Sequence, residues 1–136
     1  MSASLGYVHN PLVRHSAEHD PDALERALAD PTTLYCLFAG DVPVLTAGEA
    51  PTALLDAASA RRGGPVTDAV LLGSLHGRSV VAVRVEPQGG EAFAGDEGFR
   101  LLDLRSVAVQ GAVPADEHGM LAQGKALLHW HAKHRF

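Results

Sequence analysis

The chain has 136 residues, enough for one domain with its own hydrophobic core and too few for two domains of ordinary size. Its apolar content of 46%, charged content of 20% and net charge of −5 are typical of a soluble globular protein. The negative charge disfavours direct nucleic-acid binding, because that affinity comes from neutralising phosphates with Lys and Arg. A single cysteine excludes an internal disulfide and a cysteine-built zinc site.

The sequence has no segment that predicts export or membrane insertion. The N-terminus lacks a charged region followed by an apolar run. The longest apolar runs, 69–72 and 80–83, are far shorter than a membrane span. We therefore expect a cytoplasmic protein without a membrane partner.

The N-terminal region predicts an irregular segment followed by a helix. Residues 1–19 carry an Asn-Pro turn signal and are expected to be extended or irregular. Asp20-Pro21-Asp22 predicts the start of a helix, because aspartate caps N-termini and proline fits the first turn. Asp30-Pro31 predicts its end, since the residue before a proline is disfavoured in helical geometry. Three apolar side chains are expected to face the core: Leu24, Ala27 and Leu28.

Short runs rich in strand-forming residues predict two pairs of strands. The first pair covers residues 33–38 and 42–46, which are separated by a glycine-containing turn. The second pair covers residues 69–73 and 79–85, which we expect to form an antiparallel hairpin around the turn 75–78. The near-continuous apolar character of the second pair indicates burial on both faces, as in the central strands of a covered sheet.

The remaining segments carry weaker signals. Residues 47–62 have alanines and a leucine at helical spacing and predict a short helix. Residues 86–98 are rich in glycine and acidic side chains and predict a flexible loop. Residues 104–107 predict the beginning of a short helix that ends before Gly111. The overall pattern is α+β, with a small, mostly antiparallel sheet and flanking helices.

Residues 114–136 predict a long amphipathic helix at the C-terminus. Pro114 suits the first turn, and Asp116 and Glu117 place negative charge at the positive end of the helix dipole. Its two glycines weaken the helix by about 1 kcal/mol each relative to Ala, so we expect packing to hold it. One apolar stripe recurs at helical spacing: Met120, Gly124, Leu127 and His131, with Leu121, Leu128 and Ala132 alongside. We therefore divide the chain into an α+β domain, 1–113, and a C-terminal helix.

The residues with chemically reactive side chains form no recognisable catalytic set. Cys36 lies in an apolar run, which favours a buried core thiol over a nucleophile. The acidic residues of the segment 86–98 favour a solvated loop over a cation site. His131 and His134 are helical neighbours that could chelate a metal, but no further helical ligand completes a set. We therefore assign no catalytic, cofactor-binding or metal-binding residue to this chain.

The C-terminal segment resembles the linker helix of NADH pyrophosphatases of the Nudix superfamily. Residues 122–136 contain the pattern Ala-Leu-x-x-Trp-His-x-x-His-x-Phe that is typical of that helix. Three other stretches are similar to elements of the N-terminal domain in this family. These are the opening Asn-x-Leu-x-Arg segment at 10–14, the hairpin at 71–85 and a Leu-Arg element at 102–105.

The resemblance implies a degenerate Nudix-like domain without the metal-binding box. In the family, the linker helix runs into a Cys-x-x-Cys zinc ribbon and then into the catalytic Nudix domain. This chain contains neither a cysteine pair nor the Nudix box Gly-x5-Glu-x7-Arg-Glu-x-x-Glu-Glu, so no family catalytic residue is carried over. The resemblance also implies that the natural polypeptide continues past Phe136, and that the parent enzyme needs zinc and Mg²⁺ or Mn²⁺.

The leading hypothesis is a non-catalytic N-terminal docking domain of a NAD(H) diphosphatase. Trp130 and Phe136 are large apolar groups at the end of the chain and are predicted to contact the zinc ribbon and the catalytic domain. His131 and Arg135 are placed at the rim of this contact. The alternative for Trp130 is that it closes the core of its own domain.

Two further hypotheses remain open. The chain could be a freestanding nucleotide- or small-molecule-binding module, or a histidine-tail metal binder that uses His131. A homodimer is compatible with each of these readings.

Overall fold

The structure is a computed structural model, which describes the backbone of residues 22–133 and the side chains of residues 22–130. In chain order, the elements are α1 (Ala23–Ala29), β1 (Leu34–Ala39), β2 (Val42–Thr46), α2 (Ala57–Arg61), β3 (Val66–Leu75), β4 (Arg78–Val85), a 3-10 turn (Pro87–Gly90), α3 (Glu91–Ala94), β5 (Phe99–Leu101), α4 (Leu104–Gln110) and α5 (Ala115–Lys133).

The strands form one five-stranded mixed sheet in the order β3-β4-β1-β2-β5. Strands β1 and β4 pair in parallel at the centre, with Cys36 opposite Ala82. The other three pairings are antiparallel. This arrangement confirms the α+β class, the mostly antiparallel sheet and the long C-terminal helix.

Alternate residues of the central strands point to opposite sides of the sheet. Helices cover both sides, so each side has its own core cluster. One core cluster lies beneath α5 and includes Cys36, Phe38, Leu72, Val80, Ala82, Met120, Leu121 and Leu128. The other lies beneath α1, α2 and α3 and includes Ala27, Tyr35, Leu37, Ala60, Val81, Val83 and Phe93. The predicted central position and double burial are therefore confirmed for β4, where residues 80–83 are all buried. They were wrong for β3, which is an edge strand with Ala69, Val70 and Leu71 only half-buried.

The hairpin between β3 and β4 has the predicted antiparallel pairing. Its two turn residues both adopt left-handed backbone angles, with φ of 52° at His76 and 81° at Gly77. Such a turn matches the twist of the flanking strands and sets their register.

Helix α1 differs from its prediction at one of its core positions. It begins at Ala23, and Asp20 lies outside the described residues. Asp30 has an extended ψ of 120° and ends the helix before Pro31, as predicted. Ala27 is buried, but Leu28 is 42% exposed. The expected inward position of Leu28 was therefore wrong.

Only the end of the predicted helix over 47–62 is helical, at Ala57–Arg61. The carboxylate of Asp56 accepts a hydrogen bond from the Ser59 N–H at 2.8 Å and caps this helix, which fixes its start. The preceding loop is extended instead, because Leu55 exchanges two backbone hydrogen bonds of 2.8 Å with Tyr35.

The prediction of a flexible loop over 86–98 was wrong, since this segment contains the 3-10 turn and α3. Phe93 is fully buried and meets Phe99 edge to face at a centroid distance of 5.0 Å. Arg62 lies over both rings and pairs with Asp96 at 3.0 Å. A Cβ added at Gly89 would collide with a backbone carbonyl, so this glycine permits close packing.

Helix α5 packs directly on the sheet at Gly124. A Cβ at this position would lie 3.0 Å from the Cβ of Ala82, which leaves no room for a larger side chain. At the start of the helix, the Glu117 carboxylate accepts hydrogen bonds of 2.7 Å from Thr52 Oγ1 and from the Ala53 N–H. These contacts hold α5 against both the sheet and the loop before α2.

The two glycines of α5 should respond oppositely to substitution. We expect Gly124→Leu to destabilise the fold by about 1–3 kcal/mol, because the new side chain overpacks the helix–sheet contact. A Cβ at Gly119 meets nothing within 4 Å. Gly119→Ala should therefore stabilise the fold by up to about 1 kcal/mol through helix propensity. Urea denaturation measures both free energies of unfolding, and a neutral Gly124→Leu would contradict the close packing.

Candidate docking surface and an opposite cleft

The outward face of α5 carries an exposed tryptophan near its C-terminal end. Trp130 is 58% exposed, whereas Leu128, two residues earlier on the inner face, is fully buried. His129 and Ala126 are also exposed on the outward side. Trp130 therefore does not close the core of this domain.

An open groove of about 400 Å³ borders the same part of α5. Its apolar floor is formed by Leu104 of α4 and by Ala122 and Ala126. Three polar side chains line it: Asp41, Lys125 and His129. We call Trp130 together with this groove the α5 surface. An exposed aromatic group with an apolar floor and a polar rim has the layout of a protein–protein contact.

The predicted docking residues are only partly described by the structure. The side chain of Trp130 lies on the α5 surface. His131 lies in α5, but its side chain is outside the described set. Arg135 and Phe136 lie beyond the described residues. The docking role of all four, and the division of the chain at residue 113, stay predictions.

Within residues 22–130, no three side chains of His, Cys, Asp or Glu are arranged to hold a metal ion. Asp96, in the acidic segment, is engaged by neighbouring groups of the protein. Hydrogen bonds from the Gly98 N–H and then from Arg62 lower the pKa of its carboxyl. Asp96 therefore serves as a structural contact.

Cys36 is buried in the core beneath α5, as predicted. Desolvation, followed by the negative charge of Glu117, raises the pKa of its thiol to about 12. Because the thiolate is the reactive form, this cysteine is chemically inert in the folded protein.

A second concave site lies on the opposite face of the sheet. This α1–α2 cleft has a volume of about 200 Å³. Its walls come from five elements: Leu28 of α1, Tyr35 of β1, Ala57, Ala60 and Arg61 of α2, Val66 of β3 and Val83 of β4. The sequence analysis did not predict this cleft. In the sequence, Tyr35 indicates only a strand, and the cleft forms only once α1 and α2 have packed on the sheet.

The family model for the NADH pyrophosphatase-like rudimentary NUDIX domain matches residues 32–130. The match covers most of the chain and ends at the exposed tryptophan. The chain belongs to this family of Nudix-like domains. None of the curated proteins matches the chain significantly. Among the described residues, no helix is long and apolar enough to cross a membrane.

The thiol of Cys36 provides a test of the core beneath α5. At pH 8 we expect iodoacetamide to leave the folded protein unmodified and to alkylate it fully in urea, since burial suppresses the thiolate. Intact-mass spectrometry measures the modified fraction. Rapid alkylation without denaturant would show that this core opens to solvent.

Proposed function

We propose that this chain is the non-catalytic N-terminal docking domain of a NAD(H) diphosphatase. The parent enzyme hydrolyses the pyrophosphate of NADH or NAD to NMN(H) and AMP. The domain packs against a zinc ribbon and a catalytic Nudix domain of the same polypeptide. Zinc and the divalent Mg²⁺ or Mn²⁺ belong to those downstream parts.

The observation that carries this proposal is the exposed Trp130 at the end of the family match. The inner face of α5 is buried against the sheet, whereas Trp130, the only tryptophan in the sequence, is 58% exposed. Packing within this domain therefore does not explain the position of Trp130. Aromatic residues are enriched in the centre of protein interfaces, where they supply much of the binding energy. The adjoining groove offers a place for side chains of the partner.

The metals of the parent enzyme do not fit the described part of this chain. Its one cysteine is fully buried beneath α5, and zinc ribbons use pairs of accessible thiolates. The described carboxylates form no three-ligand group. These donor sets support our proposal that the metals belong to downstream domains.

The first test is the reading frame after Phe136. We expect a Cys-x-x-Cys pair and then a Gly-x5-Glu-x7-Arg-Glu-x-x-Glu-Glu box. A stop codon directly after Phe136 would overturn the assignment to a larger enzyme.

The second test titrates the separately produced downstream segment into this chain by calorimetry. We expect Trp130→Ala to weaken association at least about tenfold, as truncation of an interface aromatic does. Val109→Ala is the control, because Val109 is 78% exposed on α4 and does not line the groove. Both variants should keep their unfolding free energy within about 0.5 kcal/mol, since they remove surface groups. Equal affinity of the two variants would contradict docking through Trp130.

The chain by itself should not hydrolyse NADH. With Mg²⁺ or Mn²⁺, we expect no AMP above the level without protein, because the sequence contains no Nudix box to position the metal. Chromatographic quantification of AMP measures the product. Metal-dependent turnover by the purified chain, lost on chelation, would refute the non-catalytic assignment.

A further inference from the structure

The α1–α2 cleft has the size of a site for a single-ring molecule. Its volume is about 200 Å³. A dry cavity of about 150 Å³ accepts benzene, whereas pockets for drug-sized ligands begin at about 300 Å³. A dinucleotide is therefore too large for this cleft, and a substituted six-membered ring fits it.

Tyr35 presents a polar group to this apolar cleft. Its side chain is 7% exposed and lines the cleft from the central strand β1. Within residues 22–130, its hydroxyl has no hydrogen-bond partner, although the backbone of Tyr35 is paired with Leu55. Within the described residues, this hydroxyl oxygen is accessible at the cleft and is not sealed in the core. It can therefore donate a hydrogen bond to a molecule bound there. A tyrosine phenol is protonated at neutral pH and can donate a hydrogen bond, and burial raises the pKa of Tyr35 further.

Arg61 places positive charge at the same cleft. Its guanidinium acts electrostatically on Tyr35 and lines the cleft from α2. Across the described residues, no carboxylate lies within 4 Å of it, whereas the neighbouring Arg62 is bound to Asp96 and stacked on two phenylalanines. Asp30, the nearby acid that also acts on Tyr35, accepts two hydrogen bonds of 2.8 Å from Thr32.

We propose that the α1–α2 cleft binds a small organic anion that consists of one aromatic ring and a carboxylate. The ring packs between Leu28 and Val66, whose side chains are 42% and 51% exposed at the cleft. The carboxylate accepts a hydrogen bond from Tyr35 and pairs with Arg61, because guanidinium groups match the geometry of carboxylates. This site is independent of the proposed docking function, since it lies on the other face of the sheet.

The proposal is tested by titrating the chain with benzoate and following its ¹H–¹⁵N spectrum. We expect saturable shifts at residues of β1, α2 and the start of β3, with a Kd of about 1 mM for so few ligand atoms. Benzamide keeps the ring and loses the charge, so it should bind at least about tenfold more weakly than benzoate. Acetate, which lacks the ring, should produce no saturable shift at these residues.

Variants assign the binding to the two polar groups. Arg61→Gln should weaken benzoate binding about fivefold or more through loss of the charged hydrogen bond. Arg105→Gln removes an exposed arginine from α4, on the other side of the molecule, and should leave the affinity unchanged. Tyr35→Phe keeps the ring in the core and should weaken binding severalfold, with the spectrum confirming the fold.

Three outcomes would overturn the proposal. The first is the absence of saturable shifts around the cleft up to about 10 mM benzoate, well above the Kd expected for its size. The second is equal binding of benzamide and benzoate. The third is an Arg61→Gln variant that binds benzoate as well as Arg105→Gln does.

Discussion

The close contact between Gly124 of α5 and Ala82 of β4 determines how the rest of this domain is arranged. Because glycine lets the helix approach the central strands, Leu121 and Leu128 are completely buried beside it. That packing fixes the rotation of α5 about its own axis. Trp130 is consequently directed outward, and Glu117 reaches the loop before α2. A helix of weak intrinsic propensity thus gains its position from tertiary contacts.

The two faces of the sheet offer surfaces of different kinds. One long helix covers the first face and presents a tryptophan beside an open groove. Short helices cover the second face and leave a small cleft between them. Because alternate residues of β1 serve the two faces, Cys36 and Tyr35 are chain neighbours with different surroundings. Cys36 lies inside a closed core, and Tyr35 borders the cleft.

Membership of the Nudix-like family accounts for the fold of this chain, but a fold does not by itself assign a function. The sequence contains no Nudix box. The segment 86–98 packs on the domain through Phe93, which lies beneath Arg62. Among the described residues, no three potential metal ligands come together there. Gly89, one of the glycines that suggested mobility in that segment, is required by a close contact with the backbone carbonyl of Gly63. Glycine therefore permits close packing at Gly89 and a left-handed turn at Gly77.

The sequence by itself determined the features that depend on local periodicity and turn chemistry. These are the central strands, the hairpin, the end of α1 at Asp30, the burial of Cys36, the inner face of α5 and the family. Tertiary structure decided the rest, because it depends on partners distant in the chain. Phe93 orders the acidic segment only when Arg62 and Phe99 surround it, and Leu28 and Tyr35 form a cleft only when α1 and α2 are placed together.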